Sequence, residues 1–396
     1  MKKTLQLKSA GSTLAMVMFL VAFSTVLGVA VLAMGMQQRI FAVRTGEEIE
    51  ARCAADAGLT KALYDINQKL KTKPWNDSTL PSATNAALPA CDAVYSYTIT
   101  KSGSDYVITS TGTCGQAQKQ VTCTLVVDSP FDFAIFGNGY LWLANGSTVD
   151  QYNTDPYTPT LKIGTNTTIK GWVQIAADSQ INGDVVVGFG GDPADVIKNQ
   201  GTITGIQYAM SEPEILPSIT VPASLDALPS SGTMKKNTTL TKSAKYNKID
   251  LGNNETLTID GDVSLYVTDK ITLGNQAEIT IVGTNPEASL KLYLGGDLKC
   301  DNGSNINNQT KDPHKVLIYG LDTCTKISLM NSSAFYGAIY APKAEVINDN
   351  FAATYGSVTA DCFSLGNKAP FHYDASLRKA TVNDEAVHFA VKRWSE

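Results

Sequence analysis

Leu257-Thr258-Ile259-Asp260-Gly261-Asp262-Val263-Ser264-Leu265-Tyr266-Val267 runs into Lys270-Ile271-Thr272-Leu273-Gly274-Asn275 and then Glu278-Ile279-Thr280-Ile281-Val282-Gly283. Each piece is a short run of Val, Ile, Leu and Thr bounded by Gly, Asn or Asp, the pattern of brief strands separated by tight corners. The texture extends upstream through Thr168–Ile175 and Gln180–Val187, and downstream through Ser289–Gly296, Lys315–Gly320 and Phe335–Ala341. Motifs such as I-x-G-D-V and I-T-L-G-N recur without one fixed period, and few runs are joined by two-residue hairpin turns. This predicts a parallel β-helix-like solenoid over residues 131–396, with a β-sandwich as the alternative. Pro213, Pro217, Pro222 and Pro229 interrupt the pattern near 206–248. That stretch reads as an extended excursion across a surface or an end of the solenoid, not as a folded domain.

The composition agrees. The chain has 396 residues, only 17% of them charged, and a net charge of −5. At about 150 residues per domain this length suits two or three domains. Gly, Asn, Thr and Ser take the place of the missing charge, which favours a mainly β protein. An acidic balance is unsuited to a general nucleic-acid binder, because neutralising phosphates needs a basic surface. Three histidines in the whole chain disfavour His-based catalysis or a His-rich metal site.

The charge is unevenly placed. Lys2, Lys3, Lys8, Arg39 and Arg44 precede any acidic residue; their +5 leaves −10 for the rest of the chain. Leu14 to Met36 is an almost unbroken apolar run, which as a helix reaches roughly 34 Å, enough to cross a hydrocarbon core of about 30 Å. Lys2, Lys3 and Lys8 hold the N-terminus in the cytoplasm, so the chain is expected to be single-pass in the inner (cytoplasmic) membrane with its C-terminal part exported. A secretory signal peptide would have an apolar core of about 7–15 residues and a small-x-small cleavage site; this run is longer and Met36-Gln37-Gln38 offers no such site. A plain signal anchor and a prepilin-like segment remain. Leu59, Leu63, Ile66 and Leu70 fall on one face of a helix, so the membrane helix is expected to continue as one rod over 12–73, stopped by Lys73-Pro74. A linker follows. Beyond it, Val94–Thr100, Asp105–Ser110 and Lys119–Val127 alternate at period 2 and predict a small antiparallel meander within 74–130.

The junction Lys8-Ser9-Ala10-Gly11-Ser12 before the apolar run, and Ala54-Ala55-Asp56-Ala57-Gly58-Leu59-Thr60-Lys61-Ala62-Leu63 after it, resemble the N-terminal region of PilX-type minor pilins. Phe335-Tyr336-Gly337-Ala338-Ile339-Tyr340-Ala341-Pro342, Tyr355-Gly356-Ser357-Val358 and Phe371-His372-Tyr373-Asp374-Ala375-Ser376-Leu377 resemble the C-terminal β-helical domain common in that group. The resemblance brackets both ends of the chain; the middle is matched only in texture. It implies a leader over 1–11 removed by prepilin peptidase between Gly11 and Ser12. It also implies handling by a type IV pilus or type II secretion-like machine, with other pilin subunits, assembly machinery and membrane lipid as partners. Major pilins carry Glu at the fifth mature position; here that position is Met16, which argues against a bulk filament subunit.

Other features are weaker. Seven cysteines in an exported chain predict some oxidation, with one pair among Cys91, Cys114 and Cys123 and one among Cys300, Cys324 and Cys362. Cys53 is then the odd one, a small core residue on the helix. Glycosidic hydrolysis needs two converging carboxylates. Asp184, Asp192 and Asp195, or Asp260 and Asp262, are the tight acidic clusters, but Asp at such corners bonds its own backbone. His372 reads as a structural ring, and His314 and His388 are isolated. The Asn-x-Ser/Thr sites at Asn76, Asn145, Asn166, Asn237, Asn254, Asn302, Asn308 and Asn331 read as Asn-rich corners. Tyr140, Trp142, Tyr152 and Tyr157 are candidates for a sugar- or surface-binding face.

The chain is therefore expected to be a pilin-like structural subunit displaying an exported β head for assembly or adhesion, with no enzymatic activity, cofactor or metal and no nucleic-acid partner. A surface polysaccharide is a further candidate partner. The alternatives are a static anchor with a carbohydrate-binding head and an exported polysaccharide-active enzyme.

Overall fold

A computed structural model describes residues 12–329, 334–348 and 350–395. The chain is mainly β with one long N-terminal helix, and it divides into two compact units.

The first unit holds the helix α1 (Ser12–Leu70) and strands β1 (Ala83–Ala87), β2 (Val94–Ser102), β3 (Asp105–Cys114) and β4 (Ala117–Asp128). Strands β2 to β4 form an antiparallel meander. The helix stops at Leu70, short of the expected residue 73. The stretch expected to be a linker supplies β1, which pairs antiparallel with β2. The sheet also takes up the last strand, His388–Ser395, beside β4. The C-terminal residues Val391–Ser395 thus belong to this unit and not to the head.

Small residues decide how α1 packs. Ala51, Ala54, Ala55, Leu59, Ala62 and Ile66 are buried, while Leu63 is only half-buried. On β3 the alternate residues Tyr106, Ile108, Ser110, Gly112 and Cys114 face inward. A Cβ on Gly112 would lie 2.0 Å from the Ala51 carbonyl oxygen, and one on Gly58 would lie 2.4 Å from Ser110 Oγ. Ser110 Oγ donates to the Ala55 carbonyl at 2.7 Å. The run Ala54–Leu63 is therefore the surface that lets a sheet approach a helix backbone closely. At the rim, Asp65 accepts from Lys61 (2.6 Å) and Tyr97 (2.5 Å). Burial pushes the Asp65 carboxyl up, but these two hydrogen bonds outweigh it and hold it below its ordinary value.

The second unit, Leu70–Trp75 with Val127–Ala390, is built on parallel pairing. Every pairing described in its 22-stranded sheet is parallel, as are those of the four-stranded sheet Thr238–Leu240, Thr256–Ile259, Glu278–Ile281 and Asn305–Asn308. The order of the pairings does not follow the order of the chain. The first strand, Ile135–Gly137, pairs onward to Lys162–Thr165, then Asp184–Val187, then Gln207–Ala209. The chain then crosses to the other end and builds back. Ala244–Tyr246 pairs with Asp262–Val267, that with Ser289–Leu294, then Val316–Gly320, Phe335–Asn348 and Thr354–Leu365. Thr354–Leu365 finally pairs with Ile135–Gly137 and Leu141–Leu143, closing the late half onto the early half. Val185, Ile163, Ile135, Val358, Ile339, Ile318, Leu292 and Leu265 consequently sit in one fully buried ladder.

The Pro-rich segment is the crossing. It forms a strap over the outer column Val186–Gly164–Phe136–Thr359–Tyr340–Tyr319–Tyr293–Tyr266–Lys245. Met210 and Leu216 pack near Phe133, Phe136 and Val186; Ile219, Val221, Leu225 and Leu228 pack with Tyr293, Tyr319 and Tyr340. Tyr340 OH donates to the Pro217 carbonyl at 2.8 Å, and Lys245 Nζ meets Asp226 Oδ1 at 2.8 Å. From the Gly164 strand to the Lys245 strand the sheet spans about 34 Å at about 4.8 Å per strand. Glu214 to Pro222 runs without helix or strand, and Ala223–Asp226 form one short helical turn that brings Asp226 to Lys245. Prolines along the strap keep it from collapsing into a long helix. The excursion is shorter than expected, because strand pairing resumes at Thr233.

Gly356 lies in the closing strand at φ +144°, and a Cβ there would fall 1.9 Å from the Gly337 carbonyl oxygen. Gly356→Ala should destabilise the head by about 3 kcal/mol, the upper end of overpacking costs. A chemical denaturation midpoint equal to wild type would show that this contact is not under steric constraint.

Candidate functional site

Leu14 to Met36 is exposed along its length, with Met16 71% and Phe19 76% accessible. Among the described residues, one helix is long and apolar enough to cross a membrane. Ser12 is its first residue and Met16 lies in its second turn. Gly11 and the rest of the leader lie outside the described residues, as does Asn331.

The expected disulfides are not supported: among the described residues, none of Cys91, Cys114, Cys123, Cys300, Cys324 and Cys362 is joined in a disulfide. Register explains part of this. Cys123 opposes Ile108, whereas Cys114 opposes Ala117; at about 3.3 Å per residue the two are roughly 20 Å apart along the sheet, beyond the ~7 Å a disulfide allows. The Cys114 thiol donates to Glu50 Oε2 at 3.0 Å, and that bond pushes it up to about 11. The Cys91 thiol points to the Leu88 carbonyl instead, at 3.7 Å. Cys300 and Cys324 are small residues of the apolar core; burial pushes Cys324 up to about 12. Cys362 Sγ turns to its neighbour Asp361, 3.9 Å away. Cys53, expected in the core, is exposed.

The acidic pairs are occupied at corners. Asp184 Oδ1 accepts from Ile206 N (2.8 Å), and Asp192 caps a short helical turn through Ala194 N (2.9 Å). Asp195 binds Lys170 (2.8 Å), Asp260 accepts from Asn285 (2.8 Å) and Asp262 accepts from Ser289 (2.6 Å). Of the sequon asparagines, Asn166 has its amide bonded to both backbone ends of Glu214, at 2.9 Å each. Asn308 donates to the Asp312 and Tyr336 carbonyls, and Asn254 adopts φ +61° at a corner. His314 sits 3.0 Å from Asp312 on an exposed turn.

Two groupings were not legible in the sequence. Parallel register stacks Tyr336 on Tyr355 (centroids 4.4 Å apart, planes 10° apart) and Tyr355 on His372 (4.5 Å), whose Nδ1 lies 2.6 Å from Asp150 Oδ1. Tyr152 sits edge-on against Tyr355 at 5.8 Å. Of the other expected surface aromatics, Tyr157 is 92% and Trp142 43% exposed, and Tyr140 is half-buried.

The second grouping joins Asp128, Glu214 and His388. Asp128 ends β4, Glu214 is on the strap and His388 opens the last strand. One donor atom from each lies within 4.8 Å of the others, with His388 Nε2 3.7 Å from Asp128 Oδ2. Among the described residues this is the one His/Cys/Asp/Glu group placed to share a metal ion. Burial, and then the charge of Asp128, push the Glu214 carboxyl up to about 7. Burial likewise raises Asp128 and lowers His388. The neighbouring Asp132 already faces Lys162 and Arg378. His388, which reads as isolated in the sequence, is therefore one of a cluster; no local spacing could signal it.

Residues 210–380 match a sequence family described as "Domain of unknown function (DUF7305)". The match starts at the strap and ends just past the closing motif. No curated protein matches the chain. Similar solved structures include the competence-associated pilin ComZ from Thermus thermophilus, at 12% identity and TM-score 0.31, covering 88% of this chain and 97% of that one. A glycosylated ice-binding protein (LeIBP) from an Arctic yeast is similar at 13% identity and TM-score 0.31, covering 61% and 90%. An ice-binding protein from an Antarctic biological consortium is similar at 12% identity and TM-score 0.28, covering 61% and 87%.

Alkylation of the folded chain should modify Cys53 ahead of Cys123, Cys300 and Cys324, and non-reducing and reducing gels should agree. A mobility difference between the gels would contradict the free thiols.

Proposed function

We propose that the protein is a minor pilin-like subunit of a type IV pilus or type II secretion-like system, held in the inner membrane by α1 and displaying a parallel β-solenoid head outside the cytoplasm. The observation that carries this reading is the helix itself. Its first half is bare, apolar and long enough to span a bilayer. It continues without a break into the Ala/Gly-lined half that packs on a small meander. A helix of this kind packs among like helices by apolar contact, which requires no catalysis. Met16 in place of an acid removes an unpaired carboxylate from lipid and suits a subunit present in few copies. The solenoid reading of the head rests on parallel pairing at every described position of its large sheet. We read the head as non-catalytic, since Asp184, Asp192, Asp260 and Asp262 are each engaged in hydrogen bonds within the stack. Partners in this reading are other pilin subunits, the assembly machinery and prepilin peptidase.

N-terminal sequencing of the membrane-extracted protein tests it. A chain beginning at Ser12, and an unprocessed chain when Gly11→Arg is expressed beside a prepilin peptidase, are the expected results. An intact Met1 in the presence of an active peptidase would leave a static anchor instead.

A further inference from the structure

We propose that Asp128, Glu214 and His388 bind one divalent cation of the imidazole-accepting first-row type, with Zn²⁺ as its representative, and that the ion fastens three segments of the head together. This goes beyond the pilin-like reading and does not depend on it.

The donor set has two carboxylates and one imidazole, contributed by the end of β4, the strap and the start of the last strand. Their donor atoms lie within 4.8 Å of one another. Ligands of one tetrahedral ion at about 2.1 Å are roughly 3.4 Å apart, so modest side-chain rotations bring all three into contact with a shared ion. His388 Nε2 and Asp128 Oδ2, at 3.7 Å, are nearly there.

Two further observations point to an ion and not merely to a group of acids. The first is charge. Lys162 and Arg378 pair with Asp132; Lys162 also favours the charged forms of Asp128 and Glu214 from farther away, but His388 is the cation-forming side chain within the donor group itself, and neither carboxylate is fully solvated. Partly desolvated carboxylates with too little positive charge in contact are unfavourable, and a divalent ion supplies that charge. The second is space. A cavity of about 10 Å³, lined by Glu214, His388, Ser129, Thr359, Tyr340 and Phe136 among others, adjoins the donors; that is room for one water. Ser129 and Thr359 already donate their hydroxyl protons to the carbonyls of Leu377 and Pro130. Ser129 Oγ also accepts from Phe131 N at 3.1 Å; its remaining lone pair and those of Thr359 Oγ1 can accept from a water that completes a fourth coordination position.

The imidazole decides the class. Nitrogen ligation suits Zn²⁺, Ni²⁺ or Cu²⁺, whereas Ca²⁺ and Mg²⁺ favour all-oxygen shells. Glu214 is positioned for this role by its backbone: Asn166 grips its N–H and its carbonyl, so the side chain is aimed while the strap around it is fastened by apolar contacts.

The test uses the full-length, tag-free chain in detergent, stripped with chelator and titrated with Zn²⁺, and separately with Co²⁺ and Ca²⁺. The expected result is one Zn²⁺ per chain, a rise in unfolding midpoint of about 3 °C or more, and a Co²⁺ spectrum without thiolate charge transfer, which excludes the cysteines. Glu214→Gln keeps the side chain's shape and removes a half-buried carboxylate, so it should fold; it should weaken Zn²⁺ binding at least tenfold, and His388→Gln should do the same. Absence of stoichiometric Zn²⁺ binding, binding unchanged in Glu214→Gln, a thiolate band, or stabilisation by Ca²⁺ but not Zn²⁺ would each overturn the assignment.

Discussion

The head depends on one strand. Thr354–Leu365 lies in parallel register between Phe335–Asn348 and the early strands Ile135–Gly137 and Leu141–Leu143. The chain starts its stack in the middle, builds outward, crosses over and builds back. Without this strand the two halves would each present an unpaired edge and a cut apolar core. Gly356 and Gly337 meet inside this seam, where the backbones approach too closely for a Cβ. Ser357 and Thr359 on the same strand donate to the Phe133 and Pro130 carbonyls, anchoring the chain where it leaves the meander.

The crossing follows from that topology. A chain that ends its first stack at Ala209 and resumes at the far end must traverse the sheet's outer face. The tyrosines on that face are a consequence. Tyr293, Tyr319 and Tyr340 carry large apolar bodies for the strap to cover and hydroxyls at the boundary: Tyr340 reaches Pro217 and Tyr293 reaches Glu385. Burial raises all three well above the ordinary tyrosine value, so they stay neutral under the strap. The strap thereby builds a second apolar layer outside the main core. It also carries Glu214 to Asp128 and His388, which are remote from it in sequence.

The N-terminal helix shows a different economy. Its outer half needs only to be apolar and uninterrupted, and composition alone specifies that. Its inner half must receive a sheet, and there each small residue has a partner: Ala51 faces Gly112, Gly58 faces Ser110, and Ala55 accepts a hydrogen bond from Ser110. The Ala-Ala-acid-Ala-Gly-Leu pattern is the imprint of that close approach, with Asp56 left on the wetter side.

What the sequence determined by itself is what depends on neighbours along the chain. The charge-free apolar run, the period-2 strands, the Gly and Asn corners and the helix-averse prolines of the strap all act within a few residues, and each was legible. The tertiary structure alone decided which strand lies beside which. Parallel pairing links residues as distant as Ile135 and Val358, and no local pattern encodes that register. The stack of Tyr336, Tyr355 and His372, the separation of Cys114 from Cys123 and the meeting of Asp128, Glu214 and His388 are products of it. So is the return of the last strand to the meander's sheet. Short runs of Val, Ile and Thr specify a strand well and its neighbour hardly at all, because many registers bury the same apolar faces. Closure of the whole stack, with its buried glycine contact and its covering strap, selects among them.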